Sequence, residues 1–421
     1  MQNVRNYLFH LYFFVFTLYI FFNKGVAYTY FVELLWLIGI LFILFYWKNY
    51  KTLLSNRIKF IIFFIILSLF YILFGLTRYN LIKTIQDGFI FQYALFIFIL
   101  FIFKDDVDYI WNSIFKIYKW LPIVLFINFI LQFFVPILEN VSLFGSIPIL
   151  LYKNGDMGVH LCISSIFMIL NLDKYNKKEF YFILFFIIYD FLIISSYSRS
   201  GMLTYLLGLT CFYFYTNNSG IKNSFKIFTK YIPYLLLIII PLFITIKVKE
   251  NFQGRVAGIE QIGQNFTSII GQAEGANLEN NEIWRLLWWS KIIDYSFTTN
   301  NFFYGKGLGM SLAQTDDILV DEDLRSPHNF HLTIMARFGV IVFFIWVYWI
   351  ILTIKPLFTK KLSPKMLALT CIIISFLFNS SFDVFLEGPM GAFPFWTFVG
   401  LLYIEEYNER KISNDLEIEL N

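Results

Sequence analysis

Residues Arg325 to Ile354 read RSPHNFHLTIMARFGVIVFFIWVYWIILTI. The second half, Val340 to Ile354, is apolar on every face. It shows neither the period-two alternation of a barrel strand nor the one-sided stripe of a surface helix. Such a segment belongs in hydrocarbon. The first half sets two histidines, an asparagine and two arginines at the mouth of that helix, where polar groups need a reason to be.

The rest of the chain repeats the apolar half. Blocks of about 16–20 apolar residues recur, close to the length that crosses a hydrocarbon core roughly 30 Å thick. Of the 421 residues 58% are hydrophobic and only 15% charged, where a soluble domain is nearer a quarter charged. The chain is therefore read as an all-α polytopic membrane protein, one integral membrane domain over residues 1–421. Helices are expected near 7–22, 28–47, 60–76, 86–103, 120–138, 156–172, 180–197, 201–216, 231–247, 329–354, 366–382 and 390–404, about twelve transmembrane helices. The block 7–22 follows Arg5 as a signal peptide would, but no small-residue cleavage site follows it, so it is kept as a helix. Cys162, Cys211 and Cys371 lie inside apolar blocks without metal spacing and read as small packing residues.

Charge placement sets the orientation. With a cytoplasmic N-terminus, the short outer loops hold only Lys24, Arg78, Lys83, Lys153 and Arg199, and the inner segments hold most of the remaining lysines and arginines. This is the positive-inside pattern, and shifting the register by one helix would invert it. Both termini are expected in the cytoplasm. One outer loop, 248–328 between the ninth and tenth helices, is long, polar and rich in Gly, Asn, Gln and Asp. Loops of that length are usually functional or disordered. It contains WRLLWWSKIIDYSF, where Ile283, Leu286, Leu287 and Ile293 follow helical spacing. Trp284, Trp288 and Trp289 suit a helix lying at the membrane surface. A partly ordered extracytoplasmic cap is expected. No internal repeat is evident, which weakens a transporter built on duplicated halves.

Several polar residues stand at membrane edges. Arg199, in SSYSRSGMLTY, sits in a tight outer connection that the positive-inside pattern disfavours. Ser198, Ser200 and Gly201 beside it are small enough to admit a ligand, and lipid-phosphate binding is the structural alternative. Arg285 has cation–π packing on Trp288 or Trp289 as its alternative role. Two arginines on one side of the membrane suit a diphosphate, because each guanidinium can grip phosphate oxygens bidentately. His328, between Pro327 and Asn329, opens a helix with His331 one turn on, and an imidazole there can accept a proton near neutral pH. An interfacial histidine bonded to water is its structural counterpart. Asp156 and His160, in KNGDMGVH, could meet a sugar at the mouth of the sixth helix, as could Arg78, Gln86 and Asp87. GKGLGM, Gly305 to Met310, reads as a tight turn, since nothing places it between a strand and a helix. Asp316, Asp317, Asp321, Glu322 and Asp323 read as a solvated acidic face, their spacing fitting no calcium loop.

The order SRSG (Ser198–Gly201), then R-x-x-x-W (Arg285–Trp289), G-x-G-x-G (Gly305–Gly309), HNxxL (His328–Leu332) and a glycine-terminated turn at Gly339 resembles the O-antigen ligase and polymerase superfamily. So does FDVFLEGPMGAFPFWTFVGLL near the end. The resemblance covers roughly residues 190 to 404. Arg337 departs from it, standing where an acidic residue is expected. The resemblance implies a GT-C-like helical fold in the bacterial inner membrane with its active site facing outward. It implies inverting glycosyl transfer without metal or cofactor, from an undecaprenyl-diphosphate-linked oligosaccharide to a growing glycan acceptor. Arg199 and Arg285 would bind the diphosphate and His328 would handle the acceptor hydroxyl. Ser198, Ser200, Asn329, His331, Arg78, Asp156 and His160 would line the substrate. The partners expected are these glycans, the lipid bilayer and a chain-length regulator protein, and no nucleic acid. Polymerase is the favoured activity, with ligation of glycan to lipid A core or protein as the alternative. A lipid-linked glycan flippase is the alternative of another class.

Overall fold

A backbone in hydrocarbon must satisfy its own amides, and helices do so within one segment. In the computed structural model every apolar block is helical. The structure describes residues 2–46, 50, 55–135, 141–143, 147–216, 221–245, 257–269, 276–318 and 325–419. Among them the only extended pairing is a single bridge between Ser142 and Pro148. α1 (Gln2–Phe22), α2 (Phe31–Phe45) and α3 (Asn56–Leu76) are followed by α4 (Leu81–Gln92) and α5 (Leu95–Phe101). Next come α6 (Val107–Phe134), α7 (Asn154–Leu170), α8 (Lys177–Tyr197), α9 (Arg199–Thr216), α10 (Lys222–Lys230) and α11 (Ile232–Thr245). The long polar segment holds α12 (Ile259–Ile269), α13 (Ala276–Thr298) and the single turns α14 (Asn301–Tyr304) and α15 (Leu312–Thr315). The chain continues with α16 (Phe330–Phe338), α17 (Val340–Ile354), α18 (Pro356–Thr359), α19 (Pro364–Ser380) and α20 (Pro389–Glu419).

Each of the twelve expected blocks overlaps a helix among the described residues, but length and apolarity single out fewer spans. Among the described residues six helices are long and apolar enough to cross a membrane, or seven if the bent pair α4–α5 is one span. α2, α7 and α19 are apolar but shorter. Leu37, Leu41 and Leu44 of α2 and Ile66, Phe70 and Leu73 of α3 are exposed, two apolar stripes that water would not tolerate and lipid does.

Two expected helices are broken, each for a local reason. The block 86–103 bends by 51° between α4 and α5. There the Trp36 indole donates to the Gln92 carbonyl (2.9 Å), and the Gln92 amide donates to the Ile65 carbonyl and Ser68 hydroxyl. Side chains inserted into the ladder in this way bend a helix. The block 329–354 splits at Gly339, whose φ of 90° is open to glycine. A Cβ there would lie 2.8 Å from the Phe302 carbonyl oxygen.

α7, α9 and α19 form the centre, and small residues let them approach closely. A Cβ on Gly158 would stand 2.3 Å from the Gly201 carbonyl oxygen, and one on Gly208 would meet Ser375 and Cys162. Gly201 thus serves helix packing rather than the approach of a ligand. Cys162 contacts Ser375, Cys211 lies 3.7 Å from Cys371, and all three thiols are free, in keeping with their reading as packing residues. Gly158→Val is expected to wedge α7 from α9 and cost about 1–3 kcal/mol or more, because the obstacle is backbone. Gly263→Ala in α12, which meets nothing within 4 Å, is expected to be neutral or slightly stabilising. Thermal midpoints of the two variants in detergent, read by monodisperse elution, check the contrast.

The expected surface helix WRLLWWSKIIDYSF lies within α13, but it is not simply laid on the membrane. Trp288 is fully buried, with Ile292, Leu312, Ala313 and Ala336, in a small core of its own. Its indole donates to Asp316 (2.6 Å), which also pairs with Lys306. Asp316 is therefore a buried acceptor and not part of a solvated acidic face, whereas Asp317 is exposed. Asp321, Glu322 and Asp323 lie outside the described residues.

Candidate active site

The mouth of α16 is built around a carboxylate 238 residues away from Arg325 in sequence. Asp87 of α4 accepts two hydrogen bonds from Arg325 (3.0 and 2.9 Å) and one from the Gly309 amide (2.9 Å), and it forms an ion pair with Arg337 (2.9 Å). Arg337 is almost fully buried and also donates to the Gly307 and Met310 carbonyls. The glycines of GKGLGM make this possible: Gly305, Gly307 and Gly309 all have positive φ, and a Cβ on Gly305 would collide with the Arg337 backbone. The stretch is a tight turn, as its sequence suggests, clamped by Arg337 and Asp87. The departure at Arg337 is thereby explained as structural, and Asp87 as a clamp rather than a sugar contact.

On that base the chain brings several distant charges together. Arg285, on α13, donates to the Phe382 carbonyl (3.2 Å) and lies over the Trp284 ring at 5.5 Å, rather than over Trp288 or Trp289. Its Nε is buried without a protein partner among the described residues. Burial lowers the affinity of Arg285 for its proton, Asp383 opposes this, and Arg199 adds a like-charge repulsion. Arg199 begins α9 and donates to the Ser268 hydroxyl of α12 (3.1 Å). α12 is in turn held by Asn265, which donates to the Ser195 and Ser196 carbonyls. His328 sits beside Trp284, with Nδ1 3.7 Å from a carboxylate oxygen of Asp383. Its φ of 53° is a left-handed conformation, uncommon outside glycine but one that histidine adopts more readily than most side chains.

The other expected contacts are placed differently. Ser198 bonds Ser200 and accepts from the Gly201 amide, capping α9 beside Arg199. Asn329 caps α16 by accepting from the Leu332 amide. His331 is committed to the protein: the Trp346 indole donates to Nδ1 (3.1 Å), which leaves Nε2–H to donate to the Leu377 carbonyl (3.1 Å). Arg78 is exposed and stacks on Phe74. Asp156 is buried at the start of α7, bonded to Asn379, with no hydrogen-bond partner for its second oxygen among the described residues. His160, expected at the helix mouth, is instead fully buried among Tyr118, Phe376 and Phe385, its Nδ1 bonded to Tyr118. A position one turn into a helix buried on all faces cannot open onto a sugar.

Two residues not singled out in the sequence complete the cluster. Asp383 lies in the connection between α19 and α20 and pairs with Lys153, the residue that precedes α7. Burial pushes the Asp383 carboxyl up, but Lys153 and His328 outweigh it and hold the group below the usual range. Both residues had a signal in the sequence, since each is a charge in a short outer connection between apolar blocks. Their partnership spans 230 residues and no local pattern announces it.

Burial pushes the His328 imidazole down to about 4, Asp383 opposing and Arg285 and Lys153 assisting. It is neutral at pH 7 and can accept a hydrogen bond or a proton. The acid limb of any reaction that needs neutral His328 is expected near pH 4 in the free protein rather than near 6.5, as initial rates between pH 4 and 8 would show. The folded value lies below the unfolded one. The matching stability contribution is therefore complete above about 6.5 and lost as pH falls through 4.

Two guanidiniums, a neutral imidazole and a carboxylate behind it thus converge on one side of the helices. That set can hold a polyanionic leaving group and receive a proton from a hydroxyl. Residues 181–347 match the family model described as O-antigen ligase, a span that includes Arg199, Arg285 and His328. No curated protein and no solved structure matches the chain. That matched segment supports the resemblance to the O-antigen ligase and polymerase superfamily read from the sequence motifs.

Proposed function

We propose that the protein is a polysaccharide polymerase. It transfers glycan repeat units from an undecaprenyl diphosphate carrier to a hydroxyl of an acceptor glycan, on the outer side of the inner membrane. The reading rests on the proximity of Arg285 to both Arg199 and Asp383, with His328 against the same carboxylate. The acceptor oxygen attacks the anomeric carbon as the bond to the diphosphate oxygen breaks, inverting that carbon. The bonding electrons leave with the diphosphate, where Arg199 and Arg285 meet the developing charge. The hydroxyl proton passes to His328. Asp383 faces the other ring nitrogen, orients the imidazole and stabilises its cation, while Lys153 keeps Asp383 ionised. No nucleotide is needed, because the lipid diphosphate is its own leaving group.

The test is turnover of a chemically defined undecaprenyl-diphosphate repeat by purified protein in detergent. A ladder of lengthening glycans is the expected product. Intact donor after prolonged incubation, with folded protein, would sink the proposal and favour a flippase, which has nothing to transport in detergent. The description of the matched family favours ligation to lipid A core or protein as the second reading. Deletion separates the two: surface glycan of one repeat indicates a polymerase, and absence of attached glycan a ligase.

A further inference from the structure

We propose that the protein carries a second lipid site, at the end of the bundle remote from the charge cluster, which binds the phosphate headgroup of an anionic phospholipid. Gly75, near the end of α3, lies against Leu308, and Gly339, at the start of α17, lies against Phe302, so both helix ends border the G-x-G-x-G turn. The opposite ends, at Asn56 and Lys355, lie about 30 Å and about 22 Å away by helix length. The charge pattern makes that side cytoplasmic.

There a cavity of about 850 Å³ opens between α3, α17, α18 and α20. Lys59, Lys355, Lys360 and Arg410 line it and are exposed. No carboxylate pairs with these four among the described residues. The fifth cation, Arg57, is already neutralised by Glu406 and lies against the Tyr403 ring, so it forms the inner wall. Phe60, Phe63, Tyr348 and Leu352 extend the cavity along the helices toward the bilayer interior, Phe60 and Tyr348 meeting edge to face.

One groove therefore carries four cations with no carboxylate partner among the described residues at headgroup depth, continuous with an apolar wall at acyl-chain depth. That is the chemistry of a phospholipid whose head is anionic. A zwitterionic head would bring an ammonium into the same cluster and be repelled. A free phosphate would leave the aromatic wall unused. Basic pockets between membrane helices on the cytoplasmic side are where such headgroups bind. None of these residues belongs to the charge cluster, so the proposal stands apart from the assignment of glycan transfer.

Native mass spectrometry of the full chain in detergent tests it, with phosphatidylglycerol, phosphatidylethanolamine or inorganic phosphate added. Retention of phosphatidylglycerol alone is expected. The variant carrying Lys59→Gln, Lys355→Gln, Lys360→Gln and Arg410→Gln is expected to lose on the order of 100-fold in that affinity. Unchanged retention by the variant, equal retention of phosphatidylethanolamine, or displacement by millimolar phosphate would overturn the proposal. A photoreactive phosphatidylglycerol on the unmodified protein gives a second readout that no folding defect can confuse. Label on peptides containing Phe63 or Tyr348 supports the site, and label confined to other exposed helices refutes it.

Discussion

Arg285→Ala is expected to lower glycan transfer by about 10³-fold or more while leaving the protein folded. Removing one preorganised donor from a charge-stabilising site typically costs about 10²–10³ in turnover, and Arg285 supplies a full charge to a diphosphate. The stability half of the prediction is the more discriminating. Burial and the Arg199 charge both disfavour the Arg285 cation, and its Nε is buried without a partner among the described residues. A residue kept at such a cost for purely structural reasons would destabilise the protein when removed. Here the thermal midpoint is expected to hold or rise, since the lost contacts with Phe382 and Trp284 are offset by relief of the repulsion. Arg285→Lys keeps the charge and loses the planar fork, so activity should remain low if two oxygens are gripped at once. Initial rates on a lipid-linked repeat, with melting curves in the same detergent, measure both halves. A strongly unstable Arg285→Ala would point instead to a packing role.

Arg337→Leu is expected to do the reverse, acting on the fold. The guanidinium is buried, pairs with Asp87 and ties the Gly307 and Met310 carbonyls. Removing one partner of a buried pair typically costs about 3–5 kcal/mol, because the other charge is left behind. Arg325 still reaches Asp87, which places the expected loss at about 3 kcal/mol, the low end of that range. Asp87→Leu combined with Arg337→Leu should recover part of it, since no charge is then stranded. A thermal midpoint of the double variant no higher than that of Arg337→Leu would count against the clamp.

Much of the helical content could be read from hydrophobic blocks, because apolarity on all faces needs no partner to interpret. The bends could not. Nothing near Gln92 marks a kink, since the indole that takes its carbonyl belongs to Trp36, 56 residues upstream. At the site, Arg199, Arg285 and His328 were legible as costly polar groups at membrane edges, and the structure brings them close together. The same criterion overcalled His160 and His331, because a charge-capable group near a helix end can equally be buried and satisfied. It passed over Asp383 and Lys153, whose meaning lies in their pairing. Arg325 and Arg337 looked like features of the helix mouth and are in fact the two arms of a clamp on Asp87.

That clamp has a consequence for how the chain is made. Asp87 enters the membrane with α4, while Arg325 is synthesised 238 residues later. At roughly 5–20 residues per second, the carboxylate waits on the order of 10–50 s for its first arginine. Until then the Asp87 carboxylate has no arginine of the clamp beside it, and only the Gly309 amide can reach it once the glycine turn has been made. A chain that ends before Arg325 therefore lacks both arms of the clamp, since Arg337 follows later still.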